Sequence, residues 1–374
     1  MKRTWRTGWP TSVRNPRAPL AWRRVRSRSG FCVTTPRPCT IRSSTGWTWS
    51  QCKSERRASP LKAHGPPPVT IAAMTSDAVW TVPEPRSTYE VPVEGGATII
   101  LRRHGNPDGT RLIMSHGIGL AIDLYYPYWS MLTEEFDVVV YDLRSHGWNA
   151  VSPLADHTIP TFINDHDRVL DAIDTHYGTK PQVGVFHSVS SLAPLLSTTE
   201  GSRFSALVLF DPPLRKPVET RNEFDEAIKR AARMAEQRTS QFKTLKAYTD
   251  LLAFLPAFRH TVPGVIDLLA RTTLRESADG SGYELRFPRE HEAQIMAHAR
   301  IFAVLVDLDA LQCPTKVIGA DPTLPYSYLP TLDFGEMLTV DYDFLPDSTH
   351  FLQLEKPEKC IKVMRDFLEP IGLA

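Results

Sequence analysis

Cysteine is scarce: five in 374 residues, three of them (Cys32, Cys39 and Cys52) before residue 74. No two are spaced as CxxC, so neither a zinc site nor a disulfide framework is supported, and a reducing, cytoplasmic setting is expected. Long apolar runs are also missing. Nothing approaches the ~18 consecutive apolar residues of a membrane helix, and no apolar stretch follows the N-terminal arginines as a secretory leader requires. Neither GxGxxG nor GxxxxGK[ST] follows an apolar run, which leaves nucleotide cofactors no foothold. "HEAQI" (291–295) opens like a zinc-protease helix, but Ile295 stands where a second histidine is needed. The expectation is a protein with no cofactor, no metal and no membrane partner.

Acidic residues are missing from one end only. Residues 1–73 hold fifteen Lys/Arg and a single acid, Glu55, which leaves 28 basic and 41 acidic residues beyond, a net of −13. Five of the eight tryptophans lie before residue 50, and the segment has neither a strand nor a helix period before it closes on "HGPPPVT". Three readings are open. An Arg/Ser-rich, acid-poor stretch suits an organellar transit peptide. Arginine interleaved with tryptophan suits a nucleic-acid-binding arm. The blandest reading is upstream sequence translated from a start codon placed too early, with Met74 the natural start. In each case the extension is expected to be disordered, because it cannot bury enough apolar surface to offset its ordering entropy. Deleting it should leave folding intact.

Beyond residue 88, short β-rich runs alternate with helical patterns. "TIILRR" (98–103), "RLIMSHG" (111–117), "DVVVYDLRSHG" (137–147), "QVGVFHS" (182–188), "SALVLFDPP" (205–213) and "TKVIGADP" (315–322) read as strands. Continuous Val/Ile/Leu runs suit parallel strands buried on both faces. In "TFINDHDRVLDAIDTHYG" (161–178) Phe162, Val169, Leu170 and Ile173 fall on one helical face, with "DHD" (165–167) a solvated face. This order implies an α/β architecture with a doubly wound, mostly parallel sheet. About a hundred residues between "VLFDPP" and "TKVIGADP" carry three amphipathic helical patterns, too long for a crossover, and read as a helical cap inserted before the strand that bears an acid. The expected organisation is an extension (1–73), core (74–212), cap (213–310) and core again (311–374).

Reactive groups in such a sheet sit just past strand C-termini. There the sequence places His116-Gly117-Ile118-Gly119, Asp142, Ser188, Asp211, Asp321 and, near the end, His350. Serine needs a base to take its proton and an acid to orient that base. Serine, aspartate, histidine along the chain is the triad order of one superfamily. Residues from about 95 to 370 resemble the α/β-hydrolase superfamily in its capped, single-domain form. "SHGIG" resembles its oxyanion loop, "FHSVS" its nucleophile elbow, "VIGADP" its acid strand and "DSTHFLQLEKPE" its histidine loop. The resemblance implies Ser188 as nucleophile, His350 as base, Asp321 as acid, and an oxyanion hole from the backbone N–H groups of Ile118 and Val189. Asp211 is the alternative acid, since it too ends a strand. Asp142 and Arg144 read as loop ties.

The elbow departs from the family at two places. The glycines expected two residues either side of the serine are Phe186 and Ser190. Ser190 is small. Phe186 needs room, which a smaller neighbour or a displaced elbow would supply. The implied function is a serine hydrolase cleaving an ester, thioester or lactone of a mainly hydrophobic small molecule through an acyl-enzyme. Acyl transfer, C–C bond hydrolysis on the same triad, and a non-catalytic binding protein with this fold are the alternatives. Expected partners are a small-molecule substrate and at most a second copy of the chain, with no nucleic acid.

Overall fold

The computed structural model describes residues 79–214, 221–324 and 340–374. The basic extension (1–73) and Met74 lie outside them. Along the chain run β1 (Ser87–Pro92), β2 (Thr98–Gly105), β3 (Arg111–Ser115), a short α1 (Tyr126–Trp129), β4 (Asp137–Tyr141), α2 (Ile159–Tyr177), β5 (Gln182–His187), α3 (Leu192–Leu196) and β6 (Ala206–Phe210). An insertion follows with α4 (Arg221–Gln237), β7 (Gln241–Phe242), α5 (Leu245–Ala253), α6 (Val265–Thr273), β8 (Leu274–Glu276), β9 (Tyr283–Leu285) and α7 (Arg289–Phe302). The chain then returns through β10 (Thr315–Gly319), β11 (Asp341–Phe344), α8 (Leu352–Glu355) and α9 (Pro357–Leu368).

Among the described residues the main sheet has eight strands in the order β1-β2-β4-β3-β5-β6-β10-β11. Its first two pairings are antiparallel and the rest parallel. The doubly wound, mostly parallel α/β sheet is therefore present. Central strands β3, β4, β5 and β6 are buried along their whole length, which is why they read as unbroken apolar runs. α2 begins where expected: Thr158 caps it by accepting from the Thr161 N–H at 3.2 Å, and Gly178 ends it at φ +75°.

Two features differ from the sequence reading. The insertion is not purely helical, since β7, β9 and β8 form a small antiparallel sheet; runs of two or three residues leave no period to detect. The "DHD" stretch is not a solvated face. Asp165 holds Arg144 through two hydrogen bonds of 2.6 and 2.8 Å, and His166 meets the Tyr141 hydroxyl at 2.9 Å, both buried.

The strand register sets up a common edge. Ser115 pairs with Phe186, and His187 and Ile318 both pair with Phe210. The loops after β3, β5, β6 and β10 therefore leave the sheet at the same level, carrying Gly117, Ser188, Asp211 and Asp321. Phe186 itself is fully buried, edge-on to His166 (5.3 Å between centroids) and Phe204 (5.9 Å). Room for the ring comes from Gly184, where a Cβ would lie 2.6 Å from Phe186 Cε2. The smaller neighbour is thus one turn of the pleat upstream on the same strand face. Phe186→Ala should cost ~3–5 kcal/mol of stability in denaturant unfolding, through the lost burial and the cavity left behind. The ring packs beneath the sheet rather than across the serine, so the variant that remains folded should keep its Ser188 reactivity.

Candidate active site

Ser188 follows directly on β5 with φ +55°. A side chain in this left-handed region costs about 1–2 kcal/mol, and such strain persists only where the surroundings impose it. Ser190 helps to impose it: its hydroxyl accepts from the His187 N–H (3.1 Å) and donates to the His187 carbonyl (2.9 Å), tying the turn shut. The residue that replaces a family glycine is here part of the turn.

The imidazole of His350 spans the edge. Its Nε2 lies 3.0 Å from Ser188 Oγ, and its Nδ1 lies 2.5 Å from Asp211 Oδ2. Asp211 sits just beyond β6, the strand next to β5, at φ +41°, and its other oxygen accepts from the Ala320 N–H at 3.2 Å. The loop carrying His350 is fixed from behind by Glu355, whose carboxylate accepts from the Thr349 N–H (2.7 Å) and hydroxyl (2.6 Å). From the insertion, Phe258 stacks on Phe351 at 5.0 Å and 12°, and the Val262 N–H donates to the Leu354 carbonyl. The insertion thus leans on the histidine loop. Of the insertion's apolar residues, Leu252 and Phe258 are core, whereas Leu251, Phe254 and Leu255 are exposed.

Asp321 is the sequence expectation that the geometry corrects. Both of its oxygens are committed elsewhere: Oδ1 accepts from the Thr323 hydroxyl (2.7 Å) and N–H (2.8 Å), and Oδ2 from the Asp347 N–H (2.7 Å). Those donors hold its carboxyl below the usual carboxylate range. Asp321 organises the turn after β10 and anchors the loop leading to His350; the carboxylate that meets the imidazole belongs to Asp211.

The proposed oxyanion loop is braced on either side of Ile118. The Gly117 N–H donates to the Tyr125 hydroxyl (3.2 Å), and the Gly119 N–H to His146 Nε2 (3.1 Å). Gly117 must be glycine here, since a Cβ would come within 2.9 Å of His187 Nδ1 and 3.3 Å of Ser188 Cβ. At Gly119 a Cβ would meet Glu292 of α7 at 2.9 Å, so the insertion also packs on this loop. His116 accepts from the Leu143 N–H and Asp142 from the Ile122 N–H, while Asp142 also pairs with Arg102. These groups tie loops together. Two residues with no assigned part in the sequence reading, Tyr125 and His187, are buried between the two loops. Among the described residues no group of three or more His, Cys, Asp or Glu side chains could hold a metal, and no helix is long and apolar enough to cross a membrane.

A mostly parallel sheet with a strained serine past its central strand, and a histidine on the loop after the last strand, defines the α/β-hydrolase fold. The chain belongs to the alpha/beta hydrolase family, which it matches over residues 112–363. Similar solved structures include an E-2-(acetamidomethylene)succinate hydrolase (TM-score 0.60, 17% identity, 76% of this chain and 99% of that one). A thioesterase domain from the curacin biosynthetic pathway aligns with TM-score 0.57 at 17% identity (74% and 99%). The enol-lactonase from Burkholderia xenovorans LB400 aligns with TM-score 0.53 at 16% identity (75% and 100%).

Proposed function

We propose that the protein is a serine hydrolase whose triad is Ser188, His350 and Asp211. The reading rests on one observation, the unbroken line Ser188 Oγ, His350 Nε2, His350 Nδ1, Asp211 Oδ2, with contacts of 3.0 and 2.5 Å. His350 takes the Ser188 proton as Oγ attacks an acyl carbon. Asp211 keeps the other imidazole proton on Nδ1 and stabilises the imidazolium that forms. The backbone N–H groups of Ile118 and Val189 receive the developing oxyanion. As the oxyanion collapses, the acyl–oxygen or acyl–sulfur bond breaks and the imidazolium gives its proton to the departing alcohol or thiol; water activated by the same histidine then cleaves the acyl-enzyme and Ser188 recovers its proton.

The substrate is an ester, thioester or lactone of a mainly hydrophobic small molecule, in keeping with Phe258 and Phe351 stacked beside the histidine. A thioesterase and an enol-lactonase among the fold neighbours put both of those bonds in the first panel to try. Steady-state hydrolysis of p-nitrophenyl esters, acyl thioesters and small lactones of graded chain length tests the reading. Turnover rising with acyl length up to a limit is expected. No turnover anywhere, together with no reaction with a fluorophosphonate probe, would favour a binding protein on this fold.

A further inference from the structure

Between the oxyanion loop and the histidine loop lie two buried side chains with no part in the triad. The Gly117 N–H donates to Tyr125 Oη (3.2 Å), Tyr125 Oη lies 2.6 Å from His187 Nδ1, and His187 Nε2 lies 2.8 Å from the carbonyl oxygen of His350. Only one proton arrangement satisfies every member. The His350 carbonyl can only accept, so His187 carries its proton on Nε2. Nδ1 is then a bare acceptor, and the Tyr125 O–H must donate to it while its oxygen accepts from Gly117. The two loops whose separation decides how an acyl group fits are thus joined by three hydrogen bonds of fixed polarity.

We propose that Tyr125 and His187 are positioning residues that set the distance between the oxyanion loop and His350, a role that rests on the hydrolase reading above. The relay starts at the amide beside Ile118 and ends on the backbone of the base itself, so it adjusts both without touching substrate. His187 also adjoins Ser188, which makes the strand carrying the nucleophile the common origin for both loops. Burial keeps this imidazole neutral by driving its pKa well below the usual histidine range, and raises that of the Tyr125 hydroxyl, so neither gains nor loses its proton near neutrality.

Three variants and one spectrum test the relay. Tyr125→Phe removes its middle and should lower kcat roughly 10- to 100-fold, the scale of small misplacements in a site, with KM little changed. His187→Gln keeps a donor where Nε2 stood and should retain more kcat than His187→Asn, which keeps only the acceptor towards Tyr125. Equal losses in the Gln and Asn variants, or losses that merely follow the fall in Tm, would reduce the pair to core packing and overturn the role. Long-range ¹⁵N spectra of the unmodified protein, with the His187 ring assigned through its own backbone resonances, should show a neutral ring protonated on Nε2. A ring protonated on Nδ1, or on both nitrogens, would overturn the relay even if no variant folds. Should the unmodified protein hydrolyse nothing and yet show this tautomer, the hydrolase reading fails and the relay stands as structure.

Discussion

Asp211→Asn is expected to lower kcat by up to ~10⁴, the loss seen when an amide replaces the carboxylate behind a catalytic histidine. The amide oxygen can still accept from the Ala320 N–H, so the strand end keeps its shape. The NH2 group then faces His350 Nδ1 and forces that nitrogen to become the acceptor. Nε2 is left protonated and cannot take the Ser188 proton. Asp321→Asn should behave differently. One of its oxygens keeps its bonds to Thr323, while the other position sets an NH2 group against the Asp347 N–H. A lost hydrogen bond to a charged group costs about 1.5–3 kcal/mol, so the Asp321 variant should lose stability and little kcat. Steady-state kinetics and thermal unfolding of the two variants separate the cases. The reverse ranking would transfer the acid role to Asp321.

That pair of aspartates also marks how far the sequence could be read. Both end a strand, and the family resemblance points to Asp321. The deciding signal was local and present: Asp321-Pro322-Thr323 is a sequence in which an aspartate bonds the backbone and hydroxyl two residues on. An aspartate so engaged has less left for a distant imidazole. Asp211 is followed by Pro212 and Pro213, and proline has no N–H to capture its carboxylate. The central strands were legible because burial on both faces demands continuous apolar runs. The edge strands β1 and β11 were not, since "STYEVP" and "DYDF" are half exposed and mix polar with apolar residues. Ser188, His350 and their order were readable from spacing on strand ends. The Tyr125–His187 contact was not, because no period or motif links the partners. Nor could the positive φ of Ser188 be read from a stretch that lacks both flanking glycines.

Ser188→Ala should abolish fluorophosphonate labelling and lower kcat by roughly 10⁶, because nucleophile and base act as one unit. For the same reason Ser188→Ala/His350→Ala should lose no more than Ser188→Ala alone. Folding should survive, since the hydroxyl contributes one hydrogen bond, to His350, and the turn is held by Ser190. The backbone supplies a second, independent reading of the same residue. At φ +55° any side chain is strained, and alanine inherits that strain from serine. Glycine does not. Its relief of about 1–2 kcal/mol is partly offset by the ~0.5–1 kcal/mol that glycine loses in ordering its backbone. Ser188→Gly should therefore be as inactive as Ser188→Ala yet up to about 1.5 kcal/mol more stable in denaturant unfolding. A glycine variant clearly less stable than the alanine one would mean that residue 188 is not held in the left-handed region. The strained elbow, and with it the placement of the nucleophile, would then be wrong.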